Sequence, residues 1–157
     1  MKVVILGCGR AGSILAQLLA RDSHDVTIID YNADAFRRIA DSKVHQVVGT
    51  GIDVAVLRRA GIEQADVFIA VTNGDNTNIM STQIATREFN VPKSLARIYD
   101  PSRAQAYREI GVNTICTSML AAGLLRDFVL DKPWGSVLDY IDPPVATQGD
   151  AQMDGEV

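Results

Sequence analysis

Cysteine, histidine and tryptophan are scarce in this chain, and each scarcity closes off a class of function. Two cysteines, Cys8 and Cys116, and two histidines, His24 and His45, have neither the count nor the spacing of a disulfide framework or a zinc site. Two isolated histidines give no basis for a Ser/His/Asp triad, and the carboxylates are scattered without convergence. Long apolar runs are missing too. Runs such as residues 3–6 and the glycine-interrupted 119–125 fall far short of the roughly 20 residues a spanning helix needs. Lys2 is followed by a short apolar run and then by glycines, so no secretory signal is expected and the chain is read as cytoplasmic. Nor is there an excess of positive charge. Four of the nineteen acidic residues lie in 142–157, which holds none of the fifteen basic ones, so the body of the chain is balanced. That balance leaves no electrostatic footprint for nucleic acid or an anionic membrane surface, and neither nucleic-acid binding nor direct membrane insertion is expected.

What is present is ordinary globular composition, 47% hydrophobic and 22% charged over 157 residues, enough for one domain. Short β-branched runs at 3–6, 25–29, 44–48, 67–71, 94–98 and 114–116 alternate with helical spacing over 11–20, 33–40, 54–59, 78–89 and 103–110. This alternation is the signature of an α/β fold with a buried parallel sheet. Right-handed crossovers then favour a doubly wound, Rossmann-like six-stranded sheet in the order 3-2-1-4-5-6. One more helix, over 119–130, is apolar around most of its circumference, so it either covers the sheet or packs against another subunit. The expected organisation is a nucleotide-binding domain over 1–141 and a flexible acidic tail or linker over 142–157, where Pro143, Pro144 and two glycines interrupt the pattern.

Residues 7–12 read G-C-G-R-A-G, directly after the first expected strand and before the first helix. In that context the pattern carries a mechanism. Gly7 permits the tight turn, Gly9 lets phosphates approach the backbone, and Gly12 lets helix and sheet pack closely. Free N–H groups and the positive end of the helix dipole then face a diphosphate. Asp30, at the end of the second strand and 18 residues past Gly12, is placed to hold ribose hydroxyls. Its charge would repel a 2′-phosphate and so disfavours NADP; Arg37 and Arg38, on the following helix, read either as a partial offset to that repulsion or, more in keeping with their setting, as a solvated face. Cys8 reads as a small residue filling the turn, the alternative being a thiol activated by the helix N-terminus. Trp134 either anchors an interface or caps the core.

Beyond this fingerprint, the stretches VLRRAGIEQADVFIAVTNGDNTN (56–78) and ARIYDPSRAQAYREIGV (96–112) resemble the nucleotide-binding RCK or KTN (TrkA N-terminal) domain of Trk/Ktr-type potassium uptake systems and potassium channels. The resemblance runs from residue 1 to about 141. It implies that NAD(H) or ATP/ADP is gripped by Gly7, Gly9, Ala11 and Gly12, with Arg10 reaching terminal phosphates. It further implies that Asp30 and Tyr31 hold ribose and flank adenine, and that Thr72 and Asn73 line the ribose side. Arg97, at the end of the fifth strand, is expected either to contact a phosphate or to pair with a neighbouring aspartate. Where the family commonly reads G-D-x-T after strand three, this chain reads Gly49, Thr50, Gly51, Ile52, which leaves backbone groups at Gly51 or the Thr50 side chain to meet adenine. Full-length family subunits usually carry a second, smaller C-terminal lobe; this sequence stops where that lobe would begin.

The function so implied is that of a cytoplasmic regulatory subunit or domain gating an integral membrane potassium transporter or channel, a homodimer or higher ring assembled through the helix over 119–130. It is not expected to be an enzyme. A small NAD-dependent oxidoreductase would need proton-transfer groups, but none of Tyr31, Tyr99, Tyr107 and Tyr140 is followed by lysine four positions on. A NAD-linked redox sensor serving another process keeps the same site and stays open.

Overall fold

The computed structural model describes residues 1–141. The expected tail over 142–157 lies outside the described residues. Two compact units are distinguished, Met1–Ser118 and a second that holds the described residues from Met119 onward. In the first, six parallel strands, β1 (Lys2–Leu6), β2 (Asp25–Asp30), β3 (His45–Val48), β4 (Val67–Ala70), β5 (Lys93–Ile98) and β6 (Thr114–Cys116), form one sheet in the order β3-β2-β1-β4-β5-β6, the doubly wound arrangement expected. The crossovers carry α1 (Arg10–Arg21), a 3₁₀ helix (Ala33–Ile39), α2 (Val54–Arg59), α3 (Asp75–Arg87) and α4 (Pro101–Glu109), and α5 (Thr117–Val129) follows β6.

Strand alternation feeds two cores from the central strand. Val4 and Leu6 pack with Leu57, Ile62 and Phe68 on one face, while Val3 and Ile5 pack with Ala16, Phe36 and Ile39 on the other. β3, at the sheet's edge, buries none of its four residues.

Three helices differ from their expected form. Residues Ala33–Ile39 wind as 3₁₀ rather than α; the tighter helix eclipses side chains three apart, which stacks Phe36 and Ile39 on the same core. α3 starts three residues earlier than its apolar spacing indicates, because its first turn is polar and anchored by side chains. α4 starts at Pro101, where Asp100 accepts the Arg103 N–H at 3.1 Å and proline occupies the first turn.

In the second unit a short helix, α6 (Val137–Ile141), was not expected from the sequence. It is positioned by Tyr140, whose hydroxyl donates to Asp127 at 2.8 Å and accepts the Gly135 N–H at 2.6 Å. A Cβ on Gly123 of α5 would collide with the Tyr140 ring, so glycine there permits the approach. Burial, followed by the bond to Asp127, raises the Tyr140 pKa. Trp134 is 69% exposed, which excludes the core-capping role.

Candidate functional site

The carboxyl ends of the parallel strands open into a cleft of about 670 Å³, at the point between β1 and β4 where strand order reverses. Gly7 leaves β1 with φ +103, and a Cβ there would come within 2.9 Å of the Thr72 backbone nitrogen. A Cβ on Gly12 would strike the Gly7 carbonyl oxygen, so this glycine lets α1 lie against the turn. Gly9 differs from both. Its φ is −73, and a Cβ would meet nothing within 4 Å. Neither strain nor packing demands glycine at that position, which leaves the open space of the cleft as its only neighbour.

The first N–H of α1 with a helical partner is that of Ser13, bonded to the Gly9 carbonyl at 3.0 Å. The amides of Arg10, Ala11 and Gly12 precede that bond and have no carbonyl a turn behind them. The Cys8 amide is already engaged: it donates to Asp30 Oδ2 at 2.7 Å, while Oδ1 of the same carboxylate accepts the Asn32 N–H at 2.9 Å. Asp30 is thus oriented by the backbone of both β1 and β2. Cys8 itself is fully buried, its thiol 3.4 Å from the Ala35 carbonyl. Burial, then the Asp30 charge, raises its pKa, and the Arg38 guanidinium opposes this. A thiol so placed is packing rather than an activated nucleophile.

Across the cleft the β4 end is held by a side chain that the sequence reading did not single out. Asn78 of α3 is wholly buried. Its Oδ1 accepts the Thr72 N–H at 2.9 Å and the Thr72 hydroxyl at 2.7 Å, and its Nδ2 donates to the carbonyls of Thr72 at 3.0 Å and Arg97 at 2.8 Å. Arg97 adds a second stitch. One terminal nitrogen donates to the carbonyls of Val71 and Thr72, both at 2.8 Å, and the guanidinium stacks on Tyr99 at 4.6 Å. The aspartate pair expected as one alternative for Arg97 is not formed, since no carboxylate lies within 4.0 Å of it among the described residues. Asp75, at the start of α3, accepts the N–H groups of Tyr99 and Asp100 and faces Arg103, which also bonds Asn76.

Of the residues singled out from sequence, Gly7, Gly9, Arg10, Ala11, Asp30, Tyr31, Thr50, Gly51, Thr72, Asn73 and Arg97 line this one cleft. Gly12 does not; it lies behind the turn. Gly51 is also a packing glycine, because a Cβ there would meet the Leu6 side chain. Arg38, exposed as its reading as a solvated face implies, borders the cleft as well. The signal for Asn78 was a helix whose buried positions include Asn78, Ser81 and Thr82, more polar than packing alone calls for. Among the described residues, no cluster of His, Cys, Asp and Glu is placed to hold a metal ion, and no helix is long and apolar enough to cross a membrane.

Residues 3–118 match the TrkA-N domain family. The chain belongs to that family. It is 47% identical over 118 residues to the Trk system potassium uptake protein TrkA of Streptomyces coelicolor, a match covering 74% of this chain and 53% of that protein. With the TrkA homolog of Methanothermobacter thermautotrophicus it shares 38% identity over 156 residues, 98% of this chain and 68% of the homolog. The C-terminal domain of Shewanella denitrificans Kef, solved in an AMP-bound form, superposes with a TM-score of 0.69 at 21% identity, covering 83% of this chain and 82% of that one. The chain therefore spans about half the length of its Streptomyces TrkA-N relative.

Proposed function

We propose that this chain is the nucleotide-binding regulatory part of a potassium uptake system or channel, acting at the cytoplasmic face through an integral membrane partner. The observation that carries this reading is the cleft itself, where free helix amides, an oriented carboxylate and an unpaired Arg10 converge on one space in a TrkA-N domain. The relatives' names as Trk potassium uptake proteins supply the transported ion, and the AMP-bound Kef domain supports an adenine nucleotide. In this reading Arg10 and Ala11 present their amides to the diphosphate while Gly12 packs α1 against the turn, and the Arg10 guanidinium takes a terminal phosphate. Asp30 holds ribose, Tyr31 flanks adenine, Thr50 and Gly51 border its edge, and Thr72 and Asn73 close the ribose side. Arg97 keeps its second terminal nitrogen for a phosphate while the first holds the β4 end. The role is regulatory rather than catalytic: NAD(H) or ATP/ADP shifts an assembly between states by binding one of them more tightly.

The assembly is a homodimer or ring built on α5. No residue of that helix is buried within one chain, and Leu125, Phe128 and Val129 are 66–75% exposed. An apolar patch of this kind is normally covered by a partner, and a two-fold contact between copies is the commonest cover. A thermal-shift panel with NAD, NADH, ADP and ATP tests the nucleotide reading. Stability should rise with the logarithm of concentration for at least one of them, and a melting temperature unmoved by all four refutes it.

A further inference from the structure

Three charged residues beyond the glycine turn line the cleft: Asp30 ends β2, Arg38 lies on the 3₁₀ helix that follows it, and Arg97 belongs to β5. Asp30 is engaged on both oxygens by backbone donors, at 2.7 and 2.9 Å. These two bonds fix the orientation of the carboxylate. Arg38 is in the opposite condition. Its Nη1 donates to the Ala35 carbonyl at 3.4 Å, and no carboxylate lies within 4.0 Å of it among the described residues. The same Ala35 carbonyl takes the Cys8 thiol at 3.4 Å, so the guanidinium, the thiol and the phosphate turn converge on one atom. Asp30 and Arg38 are thus linked through Cys8, whose amide donates to Asp30 and whose thiol shares the Ala35 carbonyl with Arg38. Arg37 is differently disposed: it pairs with Asp34 at 2.8 Å and does not line the cleft, although both arginines border a second groove with Arg21 and Lys43.

We propose that Arg38 recognises a phosphate on the adenosine ribose, so that the cleft accepts a 2′-phosphorylated dinucleotide, NADP(H), alongside unphosphorylated adenine nucleotides. The inference rests on the nucleotide reading above. A 2′-phosphate replaces the hydrogen of a hydroxyl that Asp30 would hold, so it must emerge beside that carboxylate. There it meets a guanidinium that no carboxylate approaches within 4.0 Å among the described residues, whose fork matches two phosphate oxygens. The Asp30 charge alone would favour NADH; the unpaired Arg38 restores binding of NADPH.

Titration of the full chain with NADH and with NADPH, followed by nicotinamide fluorescence, reads the ratio of the two dissociation constants. In Arg38→Ala the NADPH/NADH ratio should rise at least about tenfold over the parent, the loss of one charge-assisted phosphate contact. Arg38→Lys should fall between, and Arg37→Ala should leave the ratio at the parent value. A ratio unmoved by Arg38→Ala, or moved equally by Arg37→Ala, overturns the assignment. An ADP arm separates the two readings: ADP binding with no response to either dinucleotide overturns this inference alone, whereas no binding of any of the three overturns the nucleotide reading itself.

Discussion

On the β1 side of the cleft the main chain does the shaping, through Gly7 and Gly12 in mutual contact and an aspartate clasped by two amides. On the β4 side the backbone is ordinary, and a buried amide with an arginine holds it in place. The first wall tolerates almost no side chain where it turns, while the second depends on one. A site whose two walls are fixed by different means should fail in different ways when each is disturbed.

The largest effect is expected at Gly12. Alanine there forces its methyl into the Gly7 carbonyl, and the helix or the turn must shift. Overpacking of backbone on backbone should cost about 3 kcal/mol or more, lowering the midpoint of thermal unfolding by roughly 10 °C for a chain of this size. A midpoint within a degree of the parent would show that the turn is softer than its contacts indicate. Next comes Asn78→Ala, which strands the Thr72 amide and withdraws donors from two carbonyls. Unpaired buried groups of this kind cost about 1–3 kcal/mol each, with Arg97 limiting the loss at the Thr72 carbonyl. Urea unfolding should therefore give a drop of about 2–3 kcal/mol, and equal stability would mean that Arg97 alone holds the β4 end.

Gly9→Ala sharpens the contrast, because it should separate stability from binding. With nothing within 4 Å of the new methyl, the fold should lose about 1 kcal/mol or less, an N-cap effect. Nucleotide affinity by calorimetry should nevertheless fall by about tenfold or more, since the methyl occupies ligand space. Unchanged affinity would remove Gly9 from the phosphate site. The smallest effect concerns Cys8. Its thiol is buried, with a pKa raised by burial and then by Asp30, so alkylation of the native protein at pH 8 should be no faster than unfolding permits. The sign of its linkage follows: the unfolded chain releases this proton first as pH rises through the thiol range, so stability declines there. Rapid native-state labelling of Cys8 would contradict the packing seen around it.

These differences also explain what could be read in the sequence. The β1 wall is written in glycine spacing and an acid at a fixed offset, and strand order follows from the βα alternation because crossovers have one hand. The β4 wall is written in a single asparagine inside a helix, where nothing local distinguishes a buried tether from a solvated residue. Gly12 and Gly51 show a related ambiguity. Sequence marks them as site residues, but the demand for glycine comes from the Gly7 carbonyl and the Leu6 side chain. Arg38 was legible as a charge on a helix, yet its turn toward the cleft depends on the 3₁₀ winding and on the Ala35 carbonyl, which spacing does not specify.

The neighbouring of β1 and β4 has a consequence for how the protein is made. Val3 pairs with Val67 and Leu6 with Ala70, so the seam at the centre of the sheet joins segments more than sixty residues apart. All other strand pairs join consecutive strands. Each half can gather from nearby chain, but the seam must wait for both, and closing long loops is the slow part of folding. The cleft lies across that seam, with Val71 donating to the Leu6 carbonyl at 2.8 Å just below it. A nascent or partly unfolded chain can thus hold two ordered halves and still have no place for a nucleotide. Binding competence is acquired in the last step, and the amide of Val71 should exchange with solvent only when the whole first unit opens.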